Sequence, residues 1–229
     1  MIFYDLKNKL GGGIVMIIER MNKEINMNEV VSLEEAKKIL EILKRHYPGI
    51  FDGLEIKYGD YYCYDERRHI VYIQDDLNWI EEEMEHDYAI IDIVNEKYGL
   101  NLEKNARCIS MHALLHELGH AADLSYKKAF GRYEEYMESE EQERIVFDSK
   151  KQAYYKMRSE YDEIIEAIHC NKDLTKEERE DLNERAFELA DEIEQLENEL
   201  DRDYREIATE AAADRFCACL LKGMCRNII

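Results

Sequence analysis

A mainly helical α+β fold is predicted for this chain of 229 residues, on three observations. A single proline interrupts a sequence rich in Glu, Lys and Leu, residues with high intrinsic helix preference. Stretches with strand character are confined to residues 54–74. Between Phe147 and Tyr204, apolar residues recur at alternating three- and four-residue steps in two long runs, the pattern of two helices folded back on each other. The fold expected is therefore a helical core with a small antiparallel sheet, interrupted by a long helical-hairpin insertion.

The elements follow in order. Residues 1–31 form an N-terminal segment without an assigned element. Its Gly11-Gly12-Gly13 run lacks the Lys-Ser/Thr ending of a phosphate loop, and Met16 is an alternative start to Met1. Ser32 and Glu35 have capping-box spacing, Leu33, Ala36, Ile39, Leu40 and Leu43 form one stripe, and Pro48-Gly49 ends this helix. Leu54, Ile56 and Tyr58 alternate with polar residues, Tyr61–Tyr64 extends or restarts the strand, and His69–Gln74 is a third β-branched stretch. Asp75 or Asp76 caps the next helix, which Ile80, Met84, Ile91, Val94 and Tyr98 face inward and Gly99 ends. A further helix runs from about Leu102 to Leu124.

In the hairpin, Tyr154, Met157, Tyr161, Ile164 and Ile168 face Leu182, Ala186, Leu189, Ile193, Leu196 and Leu200, with a Thr175/Glu178 capping box between the two runs. The last helix runs from about Tyr204 to Leu221. The organisation expected is a core in two parts, residues 32–125 and 204–229, around a linker and hairpin at 126–203.

Composition excludes several classes. Hydrophobic residues make up 45% of the chain, enough for a packed core. With 52 Asp and Glu against 31 Lys and Arg, the net charge of −21 repels a nucleic-acid backbone. The early apolar run Ile14–Ile18 is far shorter than the roughly 20 residues that cross a bilayer. The first residues lack signal-peptide organisation. Six cysteines in a chain this long do not imply a disulfide framework. A cytoplasmic protein with no membrane and no direct nucleic-acid partner is expected.

The chemistry concentrates at His116-Glu117-Leu118-Gly119-His120, an HExxH pattern in a helical context. A four-residue step puts both imidazoles on one helix face, and neutral imidazole is a good zinc ligand. Glu117 lies beside that face, placed to take a proton from an activated water. Two buried, hydrogen-bonded histidines without a metal are the alternative reading. Gly119 lowers helix preference and leaves room for a close backbone approach.

A zinc site with an open position needs a third protein ligand. Glu210 is the strongest candidate, because Ala211-Ala212-Ala213 lets its helix come close, and Glu206, one turn earlier, is the alternative. Asp214, one turn later, suits the hydrogen bond that fixes a ligand histidine's tautomer. An ordinary solvated acidic stripe is the competing reading of Glu210 and Asp214. His112 either lines the site or packs as a helix histidine. Cys217, Cys219 and Cys225 lack a zinc-finger pattern and read as core thiols. Tyr126, Tyr133, Tyr136 and Tyr204 are the tyrosines considered for stabilising an oxyanion, and the sequence does not choose among them.

These segments, HALLHELGHAAD and EAAADRFCACLL, resemble the ImmA/IrrE-type (DUF955-like) zinc metallopeptidases. The resemblance covers roughly Ser32–Leu124 and Tyr204–Leu221. It implies a zincin-like core with one Zn2+ per chain, held by His116, His120 and Glu210, with Glu117 as catalytic base. Asp214, Phe216, Ala218, Leu220 and Leu221 match the rest of the later helix signature. Two features depart from the family. Lys222-Gly223 stands where Met-Pro is usual, and about 90 residues, far more than the family's short link, separate His120 from Glu210.

The function implied is a zinc-dependent endopeptidase acting on a specific regulatory protein, such as a helix-turn-helix repressor of a mobile element. The competing expectation is a catalytically silent interaction module on the same fold. An exposed sheet edge at Ile70–Ile73 is expected to pair with an extended substrate.

Overall fold

The computed structural model describes residues 30–74, 84–171 and 174–225. They divide into two compact units, one of residues up to Tyr136 joined by those from Thr209 onward, the other Met137–Ala208. The predicted features at Gly11–Gly13, Met16, Asp75, Asp76 and Ile80 lie outside the described residues, as do the side chains of Met84 and Tyr136.

The first unit opens with α1 (Leu33–His46). Ser32 Oγ accepts from the Glu35 backbone N–H at 3.3 Å, and Glu35 Oε2 accepts from the Ser32 N–H at 2.9 Å, so the capping box forms as read. Glu34 and Glu35 at one end and Lys44, Arg45 and His46 at the other complement the helix dipole. Glu35 also reaches out of its helix. Its carboxylate accepts from both terminal nitrogens of Arg107, at 2.8 and 3.0 Å, and Val31 N–H donates to Ser110 Oγ at 3.0 Å. These bonds cross more than 70 positions of sequence and fasten the start of α1 to the HExxH helix.

The sheet contains β1 (Glu55–Tyr58), β2 (Cys63–Asp65) and β3 (Ile70–Ile73) in the order β1-β3-β2. β1 and β3 are parallel, with Glu55 opposite Ile70 and Tyr58 opposite Ile73. β2 and β3 are antiparallel, with Cys63 opposite Tyr72 and Asp65 opposite Ile70. The sheet is thus mixed rather than antiparallel, and Ile70–Ile73 is its central strand rather than an exposed edge. The reason is in the side chains. Ile70, Val71 and Ile73 are buried, which suits a strand paired on both sides, whereas Glu55, Lys57 and Asp65 put charge on the outer strands. The β2–β3 turn is closed by Arg68 N–H donating to Asp65 Oδ1 at 3.0 Å. His69 there takes a left-handed φ of 57°, and its Nδ1 lies 2.7 Å from Tyr64 Oη.

After α2 (Met84–Tyr98), Asn95 holds the following loop from both sides. Its amide nitrogen donates to Leu102 O at 3.0 Å, and its oxygen accepts from Leu102 N–H at 2.8 Å. Leu102 is therefore loop, and α3 begins later than predicted, at Ala106, continuing to Ala129. Asn105 is its N-cap, accepting from Cys108 N–H at 2.8 Å. α3 packs on β2 and β3, and α1 packs on β1. Leu40, Leu43, Phe51, Leu54, Ile73, Leu114, Leu115 and Leu118 form one core with Phe216 and Leu220 from the C-terminal helix.

The helix α4 (Tyr133–Cys170), which belongs to the second unit from Met137 on, starts well before the predicted Phe147, since no proline or glycine interrupts the Glu-rich stretch ahead of it. The antiparallel α5 (Lys176–Glu206) starts from the Thr175/Glu178 capping box, which forms in both directions. Leu189, Ile193 and Leu200 bury the seam, and the Phe147 and Tyr204 rings pack 5.6 Å apart. Glu143 accepts from Ala208 N–H at 2.7 Å, so the two ends of the hairpin lie together. The predicted single helix from Tyr204 is two helices. α5 ends at Glu206, Ile207 is extended (φ −52°, ψ 134°), and α6 runs from Ala208 to Cys225. Among the described residues, no helix is long and apolar enough to cross a membrane.

Candidate metal centre

Two helices of the first unit build the site. α3 carries His116, Glu117 and His120, and α6 carries Glu210 and Asp214. Gly119 fixes how closely the helices meet. A Cβ at that position would lie 2.7 Å from Ala213 Cα and 2.8 Å from Ala213 O, nearer than real Cβ atoms come. The backbone of α6 therefore occupies the space a side chain would fill, and the Ala211–Ala213 run meets it without bulk.

At this contact, Glu210 and Asp214 are 2% and 1% exposed. His116 Nδ1 lies 2.8 Å from Asp214 Oδ1. An ionised carboxylate only accepts, so Nδ1 carries the proton and a neutral His116 presents a lone pair at Nε2. That Nε2 lies 3.1 Å from His120 Nε2 and 3.1 Å from Glu210 Oε2, and His120 Nε2 lies 3.3 Å from the same oxygen. Three electron-rich atoms thus form a nearly equilateral triangle. Ring protons satisfy its edges only singly, whereas one cation at the centre of the group satisfies all three.

The dimensions fit a metal. Ligands about 2.0–2.1 Å from a tetrahedral zinc are about 3.3 Å from each other. The described residues also place ligand atoms of His116, Glu117 and His120 within 4.8 Å of one another. This His-Glu-His group could hold a metal ion. Burial pushes the Glu210 carboxyl up, while the His116 and His120 imidazoles beside it pull it below the usual carboxylate range.

The other predicted residues fall around this centre or elsewhere. Glu206 is exposed at the end of α5, and Ile207 separates it from α6, so it shares no helix face with Glu210. The His112 ring stacks beside His116 at 6.0 Å, buried within α3's packing. Tyr126 packs on Phe130 with ring centroids 4.5 Å apart. Tyr133 donates to Glu66 Oε1 on the β2–β3 turn at 2.6 Å. Tyr204 packs inside the hairpin against Phe147.

Cys63 was not singled out by its sequence. It opens β2, which packs on α3, and burial followed by the carboxylates of Glu117 and Asp65 pushes its thiol up. Sequence spacing alone carries no signal for that packing, because it depends on how the sheet lies on the helix. No family model, curated protein or solved structure matches the chain.

Proposed function

We propose that this chain is a zinc metallopeptidase of the ImmA/IrrE-like type, cleaving a specific regulatory protein such as a helix-turn-helix repressor in the cytoplasm. The observation that carries the reading is the triangle of His116 Nε2, His120 Nε2 and Glu210 Oε2, with Glu117 adjacent and outside it. Zinc, when bound there, supplies Lewis acidity that acidifies a water and polarises a carbonyl. Asp214 holds His116 in the tautomer whose Nε2 is available to a metal. Glu117 takes the proton of the attacking water and hands it to the leaving amine, so no covalent intermediate forms. β2 ends the sheet next to α3, and its outer backbone groups suit an extended peptide laid beside Glu117.

Glu117 also separates this reading from a silent interaction module, since a purely structural site has no use for a base. Wild type and E117Q, each with its metal content measured, are incubated with candidate repressor proteins and the products are read by mass spectrometry. Cleavage by wild type alone, with metal retained in both, is expected. Equal cleavage by both removes Glu117 from the mechanism. Absence of cleavage by zinc-loaded wild type favours the interaction module.

A further inference from the structure

We propose that the solvent-facing side of α5 centred on Phe187 is a docking surface for an arginine-rich helix of a partner protein. Glu180, Glu184, Phe187, Asp191 and Glu194 recur at steps of four, three, four and three, so they form one stripe along α5, about 21 Å long. All five are exposed, Phe187 at 75%. The buried Ala186, Leu189 and Ile193 turn the other side of the helix into the hairpin seam.

The charge around this face has one sign. Residues 180–199 hold nine Asp and Glu against one base, Arg185. Arg185 lies off the stripe and is engaged toward α4, donating to Glu160 Oε1 at 3.1 Å and to Glu188 Oε2 at 3.3 Å. Lys176 meets Glu180 at the start of the stripe at 3.4 Å, in an exposed pair that a competing cation displaces readily. The turns of α4 alongside do not neutralise the face. Residues 154–166 there hold Lys156 and Arg158 against four Asp and Glu, and Arg158 pairs with Asp162 at 3.7 Å.

A helix with Arg at three- and four-residue steps matches this row of carboxylates in spacing as well as sign. Phe187 sets the register, since its ring face takes the guanidinium and apolar stem of one Arg, with carboxylates one turn to either side. A second copy of this chain is disfavoured, because it brings −21 against −21. The stripe lies wholly on α5, so neither the surface nor its test rests on the metal-centre reading.

The full-length protein is titrated in 0.1 M salt with a labelled 18-residue helical peptide carrying Arg at three- and four-residue steps among Ala and Gln, and with a matched peptide carrying Glu instead. The Arg peptide is expected to bind and the Glu peptide not. F187A leaves every charge in place and should weaken binding at least about threefold, from the lost ring contact. E184K/D191K should weaken it at least about tenfold. E138K/E141K makes the same change in net charge at exposed positions of α4, and Glu141 lies about 28 Å along α4 from Glu160, the partner of Arg185. Charges more than about 10 Å apart are screened at this salt, so E138K/E141K should weaken binding less than about twofold. Circular dichroism checks folding, and E184Q/D191N, expected to weaken binding in the same direction, decides if the reversed pair unfolds. Unchanged binding by F187A or by the stripe variant that decides overturns the proposal. So does equal weakening by E138K/E141K, equal binding of the Glu peptide, or no binding of the Arg peptide. A wild-type dimer in analytical ultracentrifugation that F187A dissociates assigns the face to self-association and overturns it as well.

Discussion

Asp214 meets His116 at Nδ1, the ring nitrogen opposite the one that faces Glu210 and His120. Replacing it with Ala frees the ring to rotate and change tautomer. D214A is expected to lower metal affinity by about 10–100-fold with little change in helix content, measured by chelator competition. Affinity equal to wild type would remove Asp214 from the site. Gly119 acts through distance. Ala at 119 improves intrinsic helix preference by about 1 kcal/mol, but its Cβ collides with the Ala213 backbone, which cannot yield like a flexible side chain. Overpacking of this kind costs about 1–3 kcal/mol, so G119A should be less stable to urea and should lose metal as α6 is pushed away. A more stable, fully metallated G119A would contradict this packing account. The shared face of His116 and His120 could be read from sequence because four-residue spacing on a helix is a local property, whereas Glu210, 94 positions from His116, was marked only by the small residues that follow it. The packing of β2, which Cys63 opens, on α3 was not legible, because it depends on how the sheet lies on the helix.

At the scale of elements, the join between α1 and α3 rests on Glu35 and Arg107. Burial raises the Glu35 carboxyl, but the Arg107 hydrogen bonds and the Ser32 backbone and hydroxyl donors outweigh it and hold it at about 2. A carboxylate depressed on folding stabilises the fold fully above its unfolded value near 4.5 and ceases to do so as the pH falls toward 2. E35Q removes the charge that pairs with the buried Arg107 and should cost about 3 kcal/mol at pH 7. Urea melts from pH 7 to pH 3 should show the gap between wild type and E35Q narrowing below pH 4.5. A constant gap would mean that the carboxylate's charge is not what stabilises the join.

Both capping boxes could be read directly, since Ser32/Glu35 and Thr175/Glu178 are three apart. Strand order could not. β1 and β2 are neighbours in sequence, but β3 inserts between them because it alone has apolar side chains for both faces. The break at Ile207 also escaped, as no glycine or proline marks it.

Over the whole molecule, the residues of the candidate metal centre belong to one compact unit and the long hairpin to another. All of the triangle's atoms come from α3 and α6. Because Glu143 and Ala208 are hydrogen-bonded, the hairpin leaves and returns at nearly the same place. Replacing residues 137–208 with a short flexible linker should therefore preserve about one metal per chain, read by elemental analysis, with loss of the hairpin's share of helical signal. A deletion that unfolds in excess zinc would make the hairpin part of the core. The hairpin was legible from its two apolar seams, whereas the start of α4 was not, because the residues before Phe147 are helical without an apolar stripe to announce it.

We propose that a metal is held by two imidazoles and one carboxylate, and by none of Cys63, Cys108, Cys170, Cys217 and Cys219. Zinc K-edge X-ray absorption of the metal-loaded, full-length protein tests it most directly. Nitrogen and oxygen scatterers only are expected at about 2.0–2.1 Å, with the outer-shell scattering of two imidazoles that falls when His120 is replaced by Ala. A sulfur shell at about 2.3 Å, or an imidazole signal unchanged in H120A, would contradict it.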